Sequence, residues 1–296
     1  MAVIVTIGVC IRNNEATLPE VINSIIDQDF PHELIEVIFV DDGSEDSSSS
    51  IVKSYAIAMD MSVKVFHHEW MGLGPSRNIV LDNTSGHYII WVDGDMMLRK
   101  DHVRRQVEFM EAHPEIGIAG GKRGIFPAGS LIADLENVSF MVYDSDKDIS
   151  DKRLPGTGGT IFRVSALKQI GGFDPTIRGV GEDLDAAYRI KAARWMVGKS
   201  DAVFFERGRQ TWQGLWRQYL WHGYGLRRLY RRNSSLFSIA KMTPIAAFFV
   251  GLLRMPNAYR MVRRRSVILL PFHFAFKMMA WCFGFANGKL SDVGLE

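Results

Sequence analysis

Two carboxylates, Asp93 and Asp95, stand in the stretch WVDGDMML, which follows directly on His87-Tyr88-Ile89-Ile90 and so closes an apolar run. Burying an unpaired charge is costly, so acids at the end of an inner strand need a partner. Their oxygens suit a hard divalent cation, and Mg²⁺ is commonly held by one or two carboxylates plus substrate phosphates. The glycine between them, Gly94, would let a phosphate approach the backbone. A turn with capping aspartates is the plainer alternative.

Two further acidic groups carry the same question. Asp41-Asp42-Gly43-Ser44 closes the run IEVIFV. A carboxylate there can accept from a base or ribose donor, although a turn alone explains the glycine and serine. Glu182-Asp183, with Asp185 beyond, opens the stretch GEDLDAAYRIKAA. Acids at a helix start complement its dipole, or supply a general base for an attacking hydroxyl.

Three other patterns are set aside. GTGGTIF has glycines but no helical pattern after it, so it reads as a tight turn. His67 and His68 are neighbours in a strand pattern and point to opposite faces, which disfavours a metal site. DSDKDISDKRLP, from Asp144, starts like a calcium loop. It has Ile149 and Pro155 where such a loop needs Gly and Glu, so it reads as an acidic loop.

The elements that must position these groups follow from periodicity. Residues 3–11 are a β-branched run, and 15–28 show helical spacing through Leu18, Val21, Ile22, Ile25 and Ile26, with Pro31 closing the helix. Strands are expected at 35–40, 63–67 and 87–92. Helices are expected after Asp46 or Ser47 as N-cap, at 75–83 and at 102–112. The helix after Gly181 should bury Leu184, Ala187, Tyr188 and Ile190. Strand and helix alternating at this rhythm give parallel βαβ units with helices on both faces. Ligands bind outside the carboxyl ends of such strands. Arg12-Asn13, Asp41-Asp42, the Gly72-Leu73-Gly74 loop and Asp93-Asp95 should therefore converge.

The chain has 296 residues, 47% hydrophobic, and a formal charge of +2. That small value hides a division. From Arg207 to Ser291 there are 15 Lys or Arg and no Asp or Glu, whereas the preceding 206 residues carry 20 basic and 31 acidic groups, a balance of −11. Cys10 and Cys282 are expected to be free buried thiols, as in a cytosolic protein. The N-terminus enters a strand without a basic leader, so no secretory signal is expected and the active face is expected to be cytoplasmic.

Over roughly residues 3–225 the chain resembles the family 2 glycosyltransferases of GT-A fold. The resemblance rests on Asn13 after the first strand, SIIDQDFP, IEVIFVDDGSEDSS, GLGPSRNIVLDNTSGHYIIWVDGD, IGGFDP and GEDLDAAYRI, in this order and spacing. It implies an α/β, Rossmann-like, mostly parallel sheet with helices on both faces and a helical C-terminal region. Residues 1–100 would bind a nucleotide-diphospho-sugar, 101–210 the acceptor, and 211–296 would form the helical part. It also implies an inverting enzyme. Asp42 would contact the nucleobase with Arg12 beside it, Arg77 would lie near base and diphosphate, and Asp93 would face the ribose. Asp95 would bind a divalent cation, Mn²⁺ or Mg²⁺, and Asp183 would be the base. The sequence departs from many relatives in having Glu206 where they have a histidine, so no histidine metal ligand is implied. Its nearest counterpart to the QxxRW motif of processive synthases is Gln218-Tyr219-Leu220-Trp221-His222. A non-processive transferase follows, with Arg217 and His222 as diphosphate contacts and a UDP-sugar as the favoured donor.

The last third holds two apolar stretches, 244–253 and 267–286, with MVRRRS between them. Pro271, His273 and Lys277 interrupt the second. Arginines beside aromatic, apolar helices suit attachment to an anionic membrane surface, and hence a glycan or lipid-linked acceptor. Nucleic acid is a poor partner for a basic region this apolar. Two rival readings are a nucleotidyltransferase, whose glycine-rich, lysine-bearing N-terminal loop is missing, and an inactive nucleotide-sugar-binding scaffold.

Overall fold

The computed structural model describes residues 2–126, 129–145, 154–177, 180–232 and 239–287. Its strands are β1 (Val5–Ile11), β2 (Ile35–Asp42), β3 (Ser62–His68), β4 (Tyr88–Asp93), β5 (Met96–Leu98), β6 (Ile116–Arg123), β7 (Ile161–Arg163) and β8 (Met196–Glu206). They form one eight-stranded sheet in the order β3-β2-β1-β4-β7-β6-β8-β5. The β3-β2-β1-β4 half is parallel throughout. β7 runs antiparallel to both β4 and β6, and β5 antiparallel to β8.

The chain divides into two compact units: Met1–Gly124, Leu154–Arg178 and Glu182–Glu206 in the first, and Ile125–Arg153, Gly179–Gly181 and Arg207–Glu296 in the second. The first contains the whole sheet. Helices α1 (Leu18–Ile26), α2 (Ser48–Ala58), α3 (Leu73–Asn83), α4 (His102–Ala112), α6 (Val164–Gln169) and α7 (Glu182–Ala192) belong to it. Two apolar clusters sandwich the sheet. One includes Ile7, Val9, Ile22, Phe39 and Ile90, and the other Ile38, Val80, Ile89, Trp91, Phe162 and Phe173. β1, β2 and most of β4 are buried on both faces, as their continuous β-branched runs require.

Several boundaries differ from the sequence expectation for local reasons. α1 starts at Leu18, not residue 15, because Asn14 and Glu15 are used to stitch two loops together. Asn14 N donates to Ser48 Oγ at 2.8 Å, Glu15 N to Asp46 Oδ2 at 3.0 Å, and Ser47 N to Glu15 Oε2 at 3.0 Å. It ends at Ile26, well before Pro31. Ser47 is the N-cap of α2, but the capping acceptor is Asp46, whose Oδ1 takes Ser48 N at 2.9 Å. Strand β2 continues through Asp41 and Asp42, which pair in register with His67 and His68. On α7 the buried face is Glu182, Ala186, Ala187 and Ile190, and Tyr188 is exposed. Cys10 is buried, whereas Cys282 is only half-buried.

The second unit is helical: α5 (Leu131–Ser145), α8 (Trp212–Arg232), α9 (Pro244–Val262) and α10 (Leu270–Ala286). α5, inside the segment 101–210 by sequence, joins the C-terminal helices here. α8 and α10 cross closely, since a side chain on Gly223 or Gly284 would overlap the facing backbone of Trp281 or Leu220. The acidic stretch from Asp144 begins in the last turn of α5 and then lies outside the described residues.

Candidate active site

The site grows from the carboxyl ends of β1, β2 and β4, all in the first unit. At β1, Arg12 is half-buried and its guanidinium lies 4.9 Å from the centroid of the Trp70 ring. Its Nε is buried without a hydrogen-bond partner among the described residues. The next residue, Asn13, has φ +53, a left-handed conformation that asparagine tolerates better than most. Asn13 N donates to Ser44 Oγ at 3.1 Å and its Oδ1 accepts from Glu45 N at 2.8 Å, so the β1 and β2 loops form one rim.

At β2 the two aspartates do different jobs. Asp41 accepts from Ser44 N at 2.9 Å and meets His67 Nδ1 at 3.2 Å. Burial works to raise its pKa, but those hydrogen bonds outweigh it and hold the carboxyl below its usual value. Asp42 accepts from Met71 N at 2.7 Å and Gly72 N at 2.9 Å. It thereby anchors the loop that carries Trp70 and leads into α3. His68 sits 3.4 Å from Asp42 and 3.1 Å from Ser76 Oγ. Both histidines thus serve the rim, as two adjacent strand residues can only do separately.

At β4, Asp93 and Asp95 flank the turn into β5, both half-exposed. The reason for Gly94 differs from the one suggested by sequence. A Cβ there would collide with the Asn14 amide, whose Oδ1 also accepts Arg12 N at 2.9 Å. Glycine is needed because the β1 rim packs onto the turn. Among the described residues no three His, Cys, Asp or Glu side chains are grouped to hold a metal ion. One or two half-exposed carboxylates are what Mg²⁺ or Mn²⁺ needs when diphosphate and water oxygens complete its shell, so the donor set fits such an ion.

Arg77, expected near base and diphosphate, is almost fully buried beneath this rim, on α3. It pairs with Glu182 and reaches Asp93 Oδ1 at 3.3 Å, with the rings of Trp91 and Phe173 each 5.8 Å away. The two partners are driven in ways that look opposed. Burial pushes the Glu182 carboxyl up to about 7 against the pull of Arg77, with Asp183 and Asp93 adding to the rise. Burial works against the guanidinium, yet Glu182 and Asp93 more than offset it and Arg77 stays charged. Three carboxylates, Glu182, Asp93 and Asp183, share this one guanidinium, so its pull on Glu182 does not overcome burial. Glu182 Oε2 is also buried without a hydrogen-bond partner among the described residues. Next to it, Asp183 is half-exposed, its Oδ1 accepting from Leu184 N at 2.7 Å.

The segment read from sequence as a tight turn completes the site. Gly158 bridges Trp91, Gly159 N donates to Trp91 O at 3.0 Å, and Trp91 N to Thr160 O at 3.1 Å. The loop therefore runs beside the end of β4. A Cβ on Gly156 would sit 3.0 Å from Asp183 Oδ2, and one on Gly158 would sit 3.7 Å from Asp93 Oδ2. Asp93 and Asp183, 90 residues apart in sequence, border the same loop, whose Gly158 and Gly159 are packed against Met96 and Phe204. Sequence reading missed this loop, Trp70, Asn14 and the role of Glu182. Only the small residues of GTGG and the charge of Glu182 hinted at any of them. Arg217, exposed, and His222, half-buried with its ring 5.4 Å from Tyr219, stand on α8 of the second unit. Cys10 lies below the site, and burial pushes its thiol up to about 12, which leaves it inert.

Residues 6–171, more than half of the chain, match the sequence profile of Glycosyl transferase family 2. The chain is 32% identical over 101 residues to the poly(ribitol-phosphate) beta-N-acetylglucosaminyltransferase TarS of Staphylococcus aureus, covering 34% of this chain and only 18% of TarS. It is 22% identical over 200 residues to the glycosyltransferase AglE of Haloferax volcanii, 66% of each protein. In structure it is similar to the mannosyltransferase PcManGT of Pyrobaculum calidifontis, solved with GDP-Man and Mn²⁺. The TM-score is 0.69 at 18% identity, over 96% of this chain and 87% of that one. That likeness speaks for the fold, which agrees with the GT-A architecture expected from sequence. The chain belongs to glycosyltransferase family 2.

Proposed function

We propose that this chain is an inverting, metal-dependent glycosyltransferase. It would move a sugar from a nucleotide-diphospho-sugar, a UDP-sugar by preference, to a hydroxyl or phosphate of a glycan or lipid-linked acceptor. It would work at the cytoplasmic face of the membrane. The observation that carries the reading is that Asp93, at the end of β4, and Asp183, at the start of α7, border the same loop, beside Gly158 and Gly156 respectively. The similarity to TarS, named for transfer of N-acetylglucosamine, supports a sugar donor of this kind.

The geometry supports the following roles. The Arg12–Trp70 pair and Asp42 form the rim where a base and ribose would lie, and Arg12 Nε is a donor without a partner among the described residues. Asp42 accepts from Met71 N and Gly72 N, and since each carboxylate oxygen has two lone pairs these bonds do not use all of its acceptor capacity. A divalent cation held by Asp95, with Asp93 beside it, would neutralise charge growing on the leaving diphosphate. Asp183 would take the proton of the acceptor hydroxyl. The freed oxygen lone pair forms the new bond to the anomeric carbon as the bond to the diphosphate oxygen breaks, and the nucleoside diphosphate leaves with that electron pair.

One base and one displacement invert the anomeric centre once. NMR of the first product formed should show the configuration opposite to that of the donor. Retention would remove both the mechanism and the role of Asp183.

A further inference from the structure

The second unit presents an unusual surface. One described segment, Arg265–Ala286, is long and apolar enough to cross a membrane, but half of its apolar window is buried within the unit. The residues that interrupt it by sequence all turn inward. Pro271, His273 and Lys277 are buried, and His273 Nε2 and Lys277 Nζ each lie 2.7 Å from Glu136 Oε1 on α5. The outward stripe of α10 is then wholly apolar, with Phe272 62% exposed, Met279 44% and Phe283 53%. Charge inside and aromatics outside reverse the pattern of a water-facing helix.

α9 extends this surface. Its small residues Ala247, Gly251 and Ala258 are buried. Ile245, Phe249, Leu252 and Leu253, spaced along one helical face, are exposed. Phe248 meets Phe272 edge-on at 5.4 Å, which joins the two stripes, and Ile268 is exposed in the short 3-10 segment between the helices. Basic groups lie at the end of the α9 stripe. Arg260, Arg263 and Arg265 are exposed, while Arg254 lies 4.3 Å over the Tyr143 ring and Arg264 pairs with Asp134. A contiguous apolar face of this kind on a soluble protein marks an interaction site.

We infer that the joined outer faces of α9 and α10 are a membrane-docking surface that lies in the interface of an anionic bilayer, with Arg260, Arg263 and Arg265 at headgroup level. The charge argues for lipid over a second copy of the chain, because apposing two such arginine clusters would be repulsive. Burial of Lys277 and His273 against Glu136 argues for lying on the bilayer over spanning it, since α10 already spends its other face on the unit's own core. This inference does not depend on the catalytic reading.

The test uses the full chain and vesicles of phosphatidylcholine with or without phosphatidylglycerol, read by flotation. Binding is expected only with the anionic lipid, partly reversed by high salt. The pair Phe249→Ser and Leu253→Ser, and separately Arg260→Gln with Arg265→Gln, should each lower partitioning by roughly tenfold or more. Ile57→Ser, an equally exposed apolar change in the first unit, should leave it unchanged, and far-UV circular dichroism should confirm that every variant folds. Equal binding by all variants, or no binding by the parent protein, overturns the inference. So does resistance of the bound chain to alkaline carbonate, which marks a spanning helix. Self-association in the absence of vesicles that Phe249→Ser with Leu253→Ser abolishes would assign the face to a second copy instead.

Discussion

Arg77 on α3 holds Glu182, the residue directly before Asp183, in a buried pair formed across 105 positions of sequence. The same guanidinium reaches Asp93 at 3.3 Å. One cation therefore sets the distance between the strand that ends at the proposed donor and the helix that starts at the proposed base.

Removing that cation should be costly. Arg77→Met leaves Glu182 buried with no counter-charge, and breaking such a pair costs about 3–5 kcal/mol. The double variant Arg77→Met, Glu182→Leu should recover much of that loss. Urea denaturation of the singles and the double measures the coupling; simple additivity would show that the pair does not hold the two elements together.

Asp183→Asn keeps size and hydrogen bonding but cannot accept the proton. Turnover should fall by about 10² or more with donor affinity retained. Equal losses in both would move Asp183 into the donor pocket.

Asp95→Ala is read against its own melting temperature in the absence of ligand. It should abolish the extra thermal stabilisation that a nucleoside diphosphate gains from Mn²⁺. A full metal-dependent shift in the variant would transfer the ligand role to another group.

The buried Glu136 cluster should make the second unit acid-sensitive. Burial alone would raise the Glu136 pKa, but Lys277 and His273 outweigh it and hold the carboxyl at about 2, below its usual 4.5. A depressed acid stabilises the fold above its unfolded value, and that contribution, on the order of 3 kcal/mol, is lost as pH falls from 4.5 towards 2. His273 adds to the trend, because burial lowers its pKa and the unfolded chain gains a proton first as pH drops below 6.5. Thermal melts between neutral and acid pH should show this slope, and Glu136→Gln should be less stable at neutral pH with a flatter profile. An unchanged slope in the variant would place the acid sensitivity elsewhere.

The βαβ rhythm, the strand-end acids at Asp42 and Asp93 and the helix opening at Glu182 were legible in the sequence, because their signals repeat every two or 3.6 residues and each is local. The imbalance of charge after Arg207 was legible for the same reason. Tertiary structure alone decided what these groups do. Arg77 lies below the site because Glu182 and Asp93 draw its guanidinium inward. Gly94 is glycine because Asn14 packs on it, and GTGG is a wall of the site because β4 offers it Trp91 as a hydrogen-bonding neighbour. His273 and Lys277 interrupt an apolar segment on paper and yet leave its outer face unbroken, since Glu136, 137 residues before His273, lies on their side of the helix. Apart from Arg77 and Asp93, which are 16 residues apart, each of these partnerships spans at least 67 residues of chain, far outside any window in which periodicity can be read.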